Sequence, residues 1–104
     1  MLAGIVDFHP QLGVLRVSGD EDFATSGRRR RPLSSALLAA RDVIVDLRDL
    51  SFADSSLMVD LAVLAQRLRA NGRRMELRAP QPQIARLIEL MGLHRLPAVA
   101  LDAG

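Results

Sequence analysis

Residues 43–72, VIVDLRDLSFADSSLMVDLAVLAQRLRANG, admit few arrangements. Val43-Ile44-Val45 is a continuous apolar run, followed by Asp46 and Leu47. Such a run suits a central parallel strand covered on at least one face. Leu57, Leu61, Leu64 and Leu68 then recur at spacings of four, three and four. This is one face of a helix, widened by Met58 and Ala65. Asn71-Gly72 is a strong helix stop. Between strand and helix stands Asp54-Ser55-Ser56. That order places two hydroxyls at a helix start, outside the carboxyl end of a strand, where open α/β sheets put their ligand and partner sites. The first N–H groups of a helix lack intrahelical partners and accommodate a phosphate. The stretch therefore suits a reversible phosphorylation better than a complete catalytic site.

The rest of the chain reads around this unit. Gly4 to Phe8 and Leu12 to Val17 are two expected short strands, with Pro10 and Gln11 in the turn between them. Gly19 to Gly27 is polar and rich in turn residues. Leu33 to Ala40 is an expected short helix, with Thr25 or Ser26 near its start and Pro32 in a first turn. Met75 and Leu77 alternate with Glu76 and Arg78, the pattern of a strand with one wet face. Pro80 and Pro82 open a last helix; Ile84, Leu87, Ile88 and Met91 line its inner face and Gly92 ends it. Val99 to Leu101 is a further short strand or a trailing end. The two later strand–helix–strand units should cross over right-handed and give parallel neighbours. Nothing marks a linker, repeat or second domain, so one domain over residues 1–104 is expected.

Composition narrows the function. There is no cysteine, which removes disulfides, zinc thiolate sites and cysteine nucleophiles. All 14 basic residues are arginine. Chemistry that needs a lysine, such as a Schiff base or a phosphate-loop lysine, is excluded. The net charge is only +2. The pI of about 10.9 reflects the lack of groups titrating between neutral pH and arginine, not a basic surface. No nucleic-acid footprint is present. No apolar run approaches the roughly 20 residues of a membrane span. The opening MLAGIVDFHP lacks a signal-peptide pattern. A cytoplasmic protein without membrane insertion is expected.

Each motif has a plain reading beside the functional one. Asp54, Ser55 and Ser56 cap a helix under either reading, since such side chains satisfy its free N–H groups; a second, exposed hydroxyl leaves room for a phosphosite. Arg28 to Arg31 has no aromatic residue among its arginines and reads as a solvated loop or a contact for an acidic partner. Asp20-Glu21-Asp22 reads as a surface loop, because no third element completes a metal or acid–base site. His9 and His94 lack ligand spacing. No G-x-S-x-G elbow makes Ser55 or Ser56 a hydrolase nucleophile. No cofactor is called for, and an enzyme is not expected.

The segments VIVDLRDLSFADSS, LMVDLAVLAQRLRANGRRMELRAP and QPQIARLIELMGLHRL together resemble the STAS domain of bacterial anti-sigma factor antagonists and sulfate transporters. The likeness runs from Leu12–Val17, with Ser18-Gly19-Asp20-Glu21-Asp22 where the family often reads G-E-L-D, to Gly92-Leu93. It implies an α/β fold, a mixed sheet of four to five strands with helices mainly on one face. It implies a partner switch. The unmodified antagonist binds an anti-sigma factor of serine-kinase type, phosphorylation of the second serine releases it, and a PPM-type phosphatase resets it. That serine matches Ser56, less well Ser55. The family usually has glycine after it, where this chain has Leu57. A STAS module that binds a partner without being switched, as a scaffold or subunit of a signalling or transport complex, is the alternative. The expected contact surface is Asp20, Glu21, Asp22, Phe52, Asp54, Ser55, Ser56 and Leu57. Its acidic members would form one rim where the strands Leu12–Val17 and Val43–Leu47 end side by side.

Overall fold

The computed structural model describes residues 4–102; the ends of the expected domain, residues 1–3 and 103–104, lie outside the described residues. Six strands and three helices follow in the order β1 (Ile5–His9), β2 (Val14–Glu21), α1 (Ser26–Leu38), β3 (Val43–Asp46), β4 (Leu50–Ala53), α2 (Ser55–Ala70), β5 (Met75–Arg78), α3 (Pro82–Met91) and β6 (Val99–Asp102). Short 3-10 turns, Phe23–Thr25 and Leu93–Arg95, precede α1 and β6. Along the sheet the order is β1-β2-β3-β5-β6. β1 runs antiparallel to β2; β2–β3, β3–β5 and β5–β6 are parallel.

β4 is the strand beyond the expected four to five. It pairs parallel with the far half of β2, Gly19 opposite Leu50, Asp20 opposite Phe52 and Glu21 opposite Ala53. β3 takes the near half of the same edge, Val14 to Arg16. The register shifts between Gly19 and Asp20. Gly19 has φ +74°, a left-handed conformation that a side chain would disfavour. β2 therefore continues through Ser18–Glu21, which was expected to be a loop, and carries the acidic residues into the sheet.

Alternation along the strands makes the sheet one-sided. Leu15, Val17, Val43, Val45, Met75 and Leu77 are shut off from solvent. Their neighbours Arg16, Asp46, Glu76 and Arg78 stay wholly or partly exposed on the other face, where Arg16 pairs with Asp46 and Arg78 with Glu76. The helices cover the apolar face, α2 against both α1 and α3. α2 buries Leu57, Met58, Leu61, Leu64, Ala65 and Leu68, the whole stripe expected from its periodicity. α3 buries Ile84 and Ile88 and partly buries Leu87, while Met91, expected inward, is 45% exposed at the last turn.

α1 departs most from expectation. It begins at Ser26 and ends at Leu38, so Arg28–Arg31 lie inside the helix and Pro32 falls more than one turn past its start. The chain enters α1 through a capping box. Asp22 accepts from the Thr25 N–H, and the Thr25 hydroxyl accepts from the Asp22 N–H.

Candidate functional site

The site stands where β2 and β4 end side by side and α1 and α2 begin. Asp54 is the N-cap of α2, with extended backbone. Its Oδ1 accepts from the Ser56 N–H at 2.9 Å and from the Ser56 hydroxyl. Its Oδ2 accepts from the Phe23 N–H at 3.0 Å, across to the turn that opens α1. One carboxylate thus ties two helix starts together. The hydrogen bond from the Ser56 hydroxyl holds the Asp54 carboxyl below its ordinary range; desolvation opposes this, while the Phe23 and Ser56 N–H groups and the Arg29 charge reinforce it.

Beneath Ser56 lies Arg29, fully buried. Its guanidinium donates through Nε to Asp60 Oδ2 at 3.0 Å, and through Nη1 to Glu21 Oε1 at 2.9 Å and the Asp22 carbonyl at 3.0 Å. A longer Nη1 bond reaches Thr25 Oγ1. Nη2 donates to Ser56 Oγ at 3.1 Å. The Ser56 oxygen therefore gives its proton to Asp54, receives one from Arg29, and keeps one lone pair for a third group. A buried charge is tolerable only when it is paired and hydrogen-bonded, and Arg29 draws on β2, the turn after it and α2 for this. Gly4 completes the pocket: a Cβ there would overlap Glu21 Oε2 and the Asp20 carbonyl.

Several expected site residues come together here. Asp20, Asp22 and Asp54 are partly exposed and gather at the ends of β2 and β4, with Phe52 beside them. Ser55 is exposed, whereas Ser56, expected to present a free hydroxyl, is half-buried and held on two sides. Two residues of the expected contact surface do not face outward. Glu21 is 1% exposed because Arg29 draws its carboxylate inward, so it is no part of an acidic rim. Leu57 is 1% exposed because the leucine period of α2 turns it into the core. Arg29, read with its neighbours as a solvated run, is the centre of the site.

The sequence reading missed Arg29, Asp60 and Phe23. Phe23 is 77% exposed and Phe52 52% exposed, two aromatic side chains standing in water near the Asp54-Ser55-Ser56 turn, Phe23 tied to it by its N–H and Phe52 two residues before it. The D-x-x-T spacing of Asp22 and Thr25 signals a helix start and would have placed the arginines within the helix that follows. Among the described residues no group of three or more His, Asp or Glu side chains could hold a metal ion, and no helix is long and apolar enough to cross a membrane.

The model of the STAS domain matches residues 5–103. The chain belongs to the STAS domain family. Its fold is shared with solved structures. One is a candidate anti-sigma factor antagonist from Thermotoga maritima, with 13% identity over 95% of this chain and 86% of that one and a TM-score of 0.71. A second is the anti-sigma factor antagonist SpoIIAA in its unphosphorylated form, with 20% identity over 96% and 88% and a TM-score of 0.70. A third is the Bacillus cell fate determinant SpoIIAA in its phosphorylated form, with 22% identity over 96% and 91% and a TM-score of 0.67. No curated protein sequence matches. At these identities the likeness to this STAS domain is one of fold.

Proposed function

We propose that this STAS domain is an anti-sigma factor antagonist of a cytoplasmic partner switch, regulated by phosphorylation of Ser56. The observation that carries the reading is the Asp54-Ser55-Ser56 turn at the head of α2, with Ser56 Oγ fixed between Asp54 and Arg29 and two exposed phenylalanines beside it. The family and the similar fold of antagonists, one of them in a phosphorylated form, support it. The partner is an anti-sigma factor of serine-kinase type, which docks on Phe23, Phe52, Asp20, Asp22, Asp54 and Ser55. Aromatic anchors with a charged rim make effective contact surfaces. Transfer forms the Oγ–P bond, breaks the bond from the ATP γ-phosphorus to its bridging oxygen, and releases the hydroxyl proton. A PPM-type phosphatase reverses the modification.

Phosphate adds about 1.5–2 negative charges at neutral pH. Set on a docking surface that already carries Asp20, Asp22 and Asp54, it repels those carboxylates and adds to the contact a charge that is costly wherever the partner offers no matching cation. A loss of about 2–3 kcal/mol is a roughly 30- to 150-fold loss of affinity, enough to exchange partners. One observation favours the alternative of an unswitched interaction module: Ser56 is half-buried, whereas its neighbour Ser55 is exposed. Incubation with the partner kinase and ATP, followed by tandem mass spectrometry, decides between them. Modification at Ser56 is expected. Modification at Ser55 alone, or none with a kinase that binds, removes the switch.

A further inference from the structure

We propose that Arg29 is the internal receptor of the phosphoryl group on Ser56, and that it takes up the phosphate at the expense of Asp60. The inference rests on the reading of Ser56 as the modified residue and goes beyond it, to where the phosphate lies and what it displaces. The guanidinium has five N–H donors. Nε is spent on Asp60, and the two on Nη1 meet Glu21, the Asp22 carbonyl and Thr25. Of the two on Nη2, one reaches Ser56 Oγ, and the second has no protein acceptor among the described residues. A donor pair on one nitrogen, with one N–H already on the oxygen that becomes the ester oxygen, suits a phosphoryl oxygen bonded to that same atom.

The charges decide what yields. Before modification Arg29 faces two carboxylates directly, Glu21 and Asp60, and Asp54 through Ser56. A phosphate brings further negative charge against one guanidinium. Glu21 cannot leave, because its side chain is 1% exposed and Gly4 closes the space around it. Asp60 can, because its side chain is 36% exposed and can turn to water. It also lines the cleft of about 330 Å³ between α1 and α2, beside Arg30 and Arg67. Phosphorylation at the head of α2 is thereby read one turn further along, as the release of Asp60 into that cleft.

The test needs no kinase. Phosphoserine is placed at position 56 during translation in the full chain, and the amide spectrum is used to establish that the sheet is folded. The buried Arg29 side chain is then followed by nitrogen NMR. Two results are expected: a scalar coupling between an Arg29 Nη and the phosphorus across a hydrogen bond, and faster water exchange of the Arg29 Nε–H as Asp60 lets go. The Asp60→Asn variant, unmodified, supplies the reference for an Nε–H without its carboxylate. A folded phosphoprotein with no coupling and an Nε–H unchanged from the unmodified protein overturns the proposal. Failure of every kinase to modify Ser56, with the coupling present, instead removes the partner switch and leaves Arg29 as a phosphate receptor.

Discussion

Arg29 Nη1 lies 2.9 Å from Glu21 Oε1, and neither side chain is open to water. Such a pair is weak evidence for stability, since both ions are desolvated to form it. Its significance lies in what it connects. Glu21 ends β2, Arg29 sits in the first turns of α1, and Asp60 and Ser56 belong to α2. The pair fixes how two helices meet the end of one strand, and the Asp54-Ser55-Ser56 turn rests on the result.

Removing one partner leaves the other as a buried, uncompensated charge. Arg29→Met is expected to lower stability by about 3–5 kcal/mol, the cost of breaking a buried pair from one side. Arg29→Met combined with Glu21→Gln is expected to recover a large part of that loss, because no buried charge remains unpaired and Asp60, 36% exposed, can turn to water. Urea unfolding of the wild type, both single variants and the double variant measures the coupling. Additive single losses would mean that Arg29 and Glu21 contribute independently, with no coupling between them.

Asp54 predicts an acid response. Its carboxyl titrates below the ordinary 3.8, first because the Ser56 hydroxyl bonds to the charged form. A carboxylate depressed in the folded state contributes stability above its unfolded pKa and loses it as pH falls through the folded value. The contribution of Asp54 is therefore intact at neutral pH and fades from about pH 4 downward. Asparagine caps a helix about as well as aspartate, so Asp54→Asn should differ little from wild type in its capping at neutral pH and lose less stability on acidification. Urea midpoints at a series of pH values read this. Parallel acid limbs for the two proteins would deny Asp54 its role.

Leu57 follows Ser56, at the position where the family resemblance implies glycine. Its side chain is 1% exposed and belongs to the core cluster, so it is expected not to screen Ser56 from a kinase. Leu57→Gly is expected to cost about 2–4 kcal/mol through lost burial and helix propensity. The phosphorylation rate of the folded fraction is expected to stay the same. A chemical melt and a kinase time course on the one variant test both halves. A faster rate with little loss of stability would mean that Leu57 acts as a shield.

Much of the fold was legible because burial on one face writes its period into the sequence. The stripe Leu57, Leu61, Leu64 and Leu68 and the runs Val43–Val45 and Met75–Leu77 each have a dry side, and the pattern names it. β4 was not legible: of its four residues only Leu50 is buried, and its pairing depends on a bulge in a distant strand. The start of α1 was hidden for a related reason. Arg28–Arg31 has no apolar period, and Arg29 is buried by partners from β2, the turn after it and α2, which no local pattern displays. The Asp54-Ser55-Ser56 turn could be placed from its capping chemistry, but not the guanidinium beneath it. Met91 shows the converse limit: helical spacing put it inward, yet at the last turn of α3 it is left in solvent.

Phe23 and Phe52 give the proposed docking surface its most direct test. They are 77% and 52% exposed and lie near the turn that holds Ser56. Neither supports the core, so truncating them should leave the melting temperature close to that of the wild type. Large aromatic residues that become fully desolvated in a contact carry much of its energy, about 2 kcal/mol or more each. Phe23→Ala and Phe52→Ala are therefore each expected to weaken binding of the partner kinase by at least roughly 30-fold. Leu12 supplies the control. It is 66% exposed in the turn before β2, at the end of that strand opposite Glu21, and Leu12→Ala should leave affinity unchanged. Calorimetric titration of the three variants decides the matter. Equal affinity in all three would move the docking surface away from the head of α2, even with Ser56 still accepting phosphate. A loss for Phe52→Ala alone would shift its centre towards α3, where Phe52, Leu87 and Leu90 line a second apolar cleft.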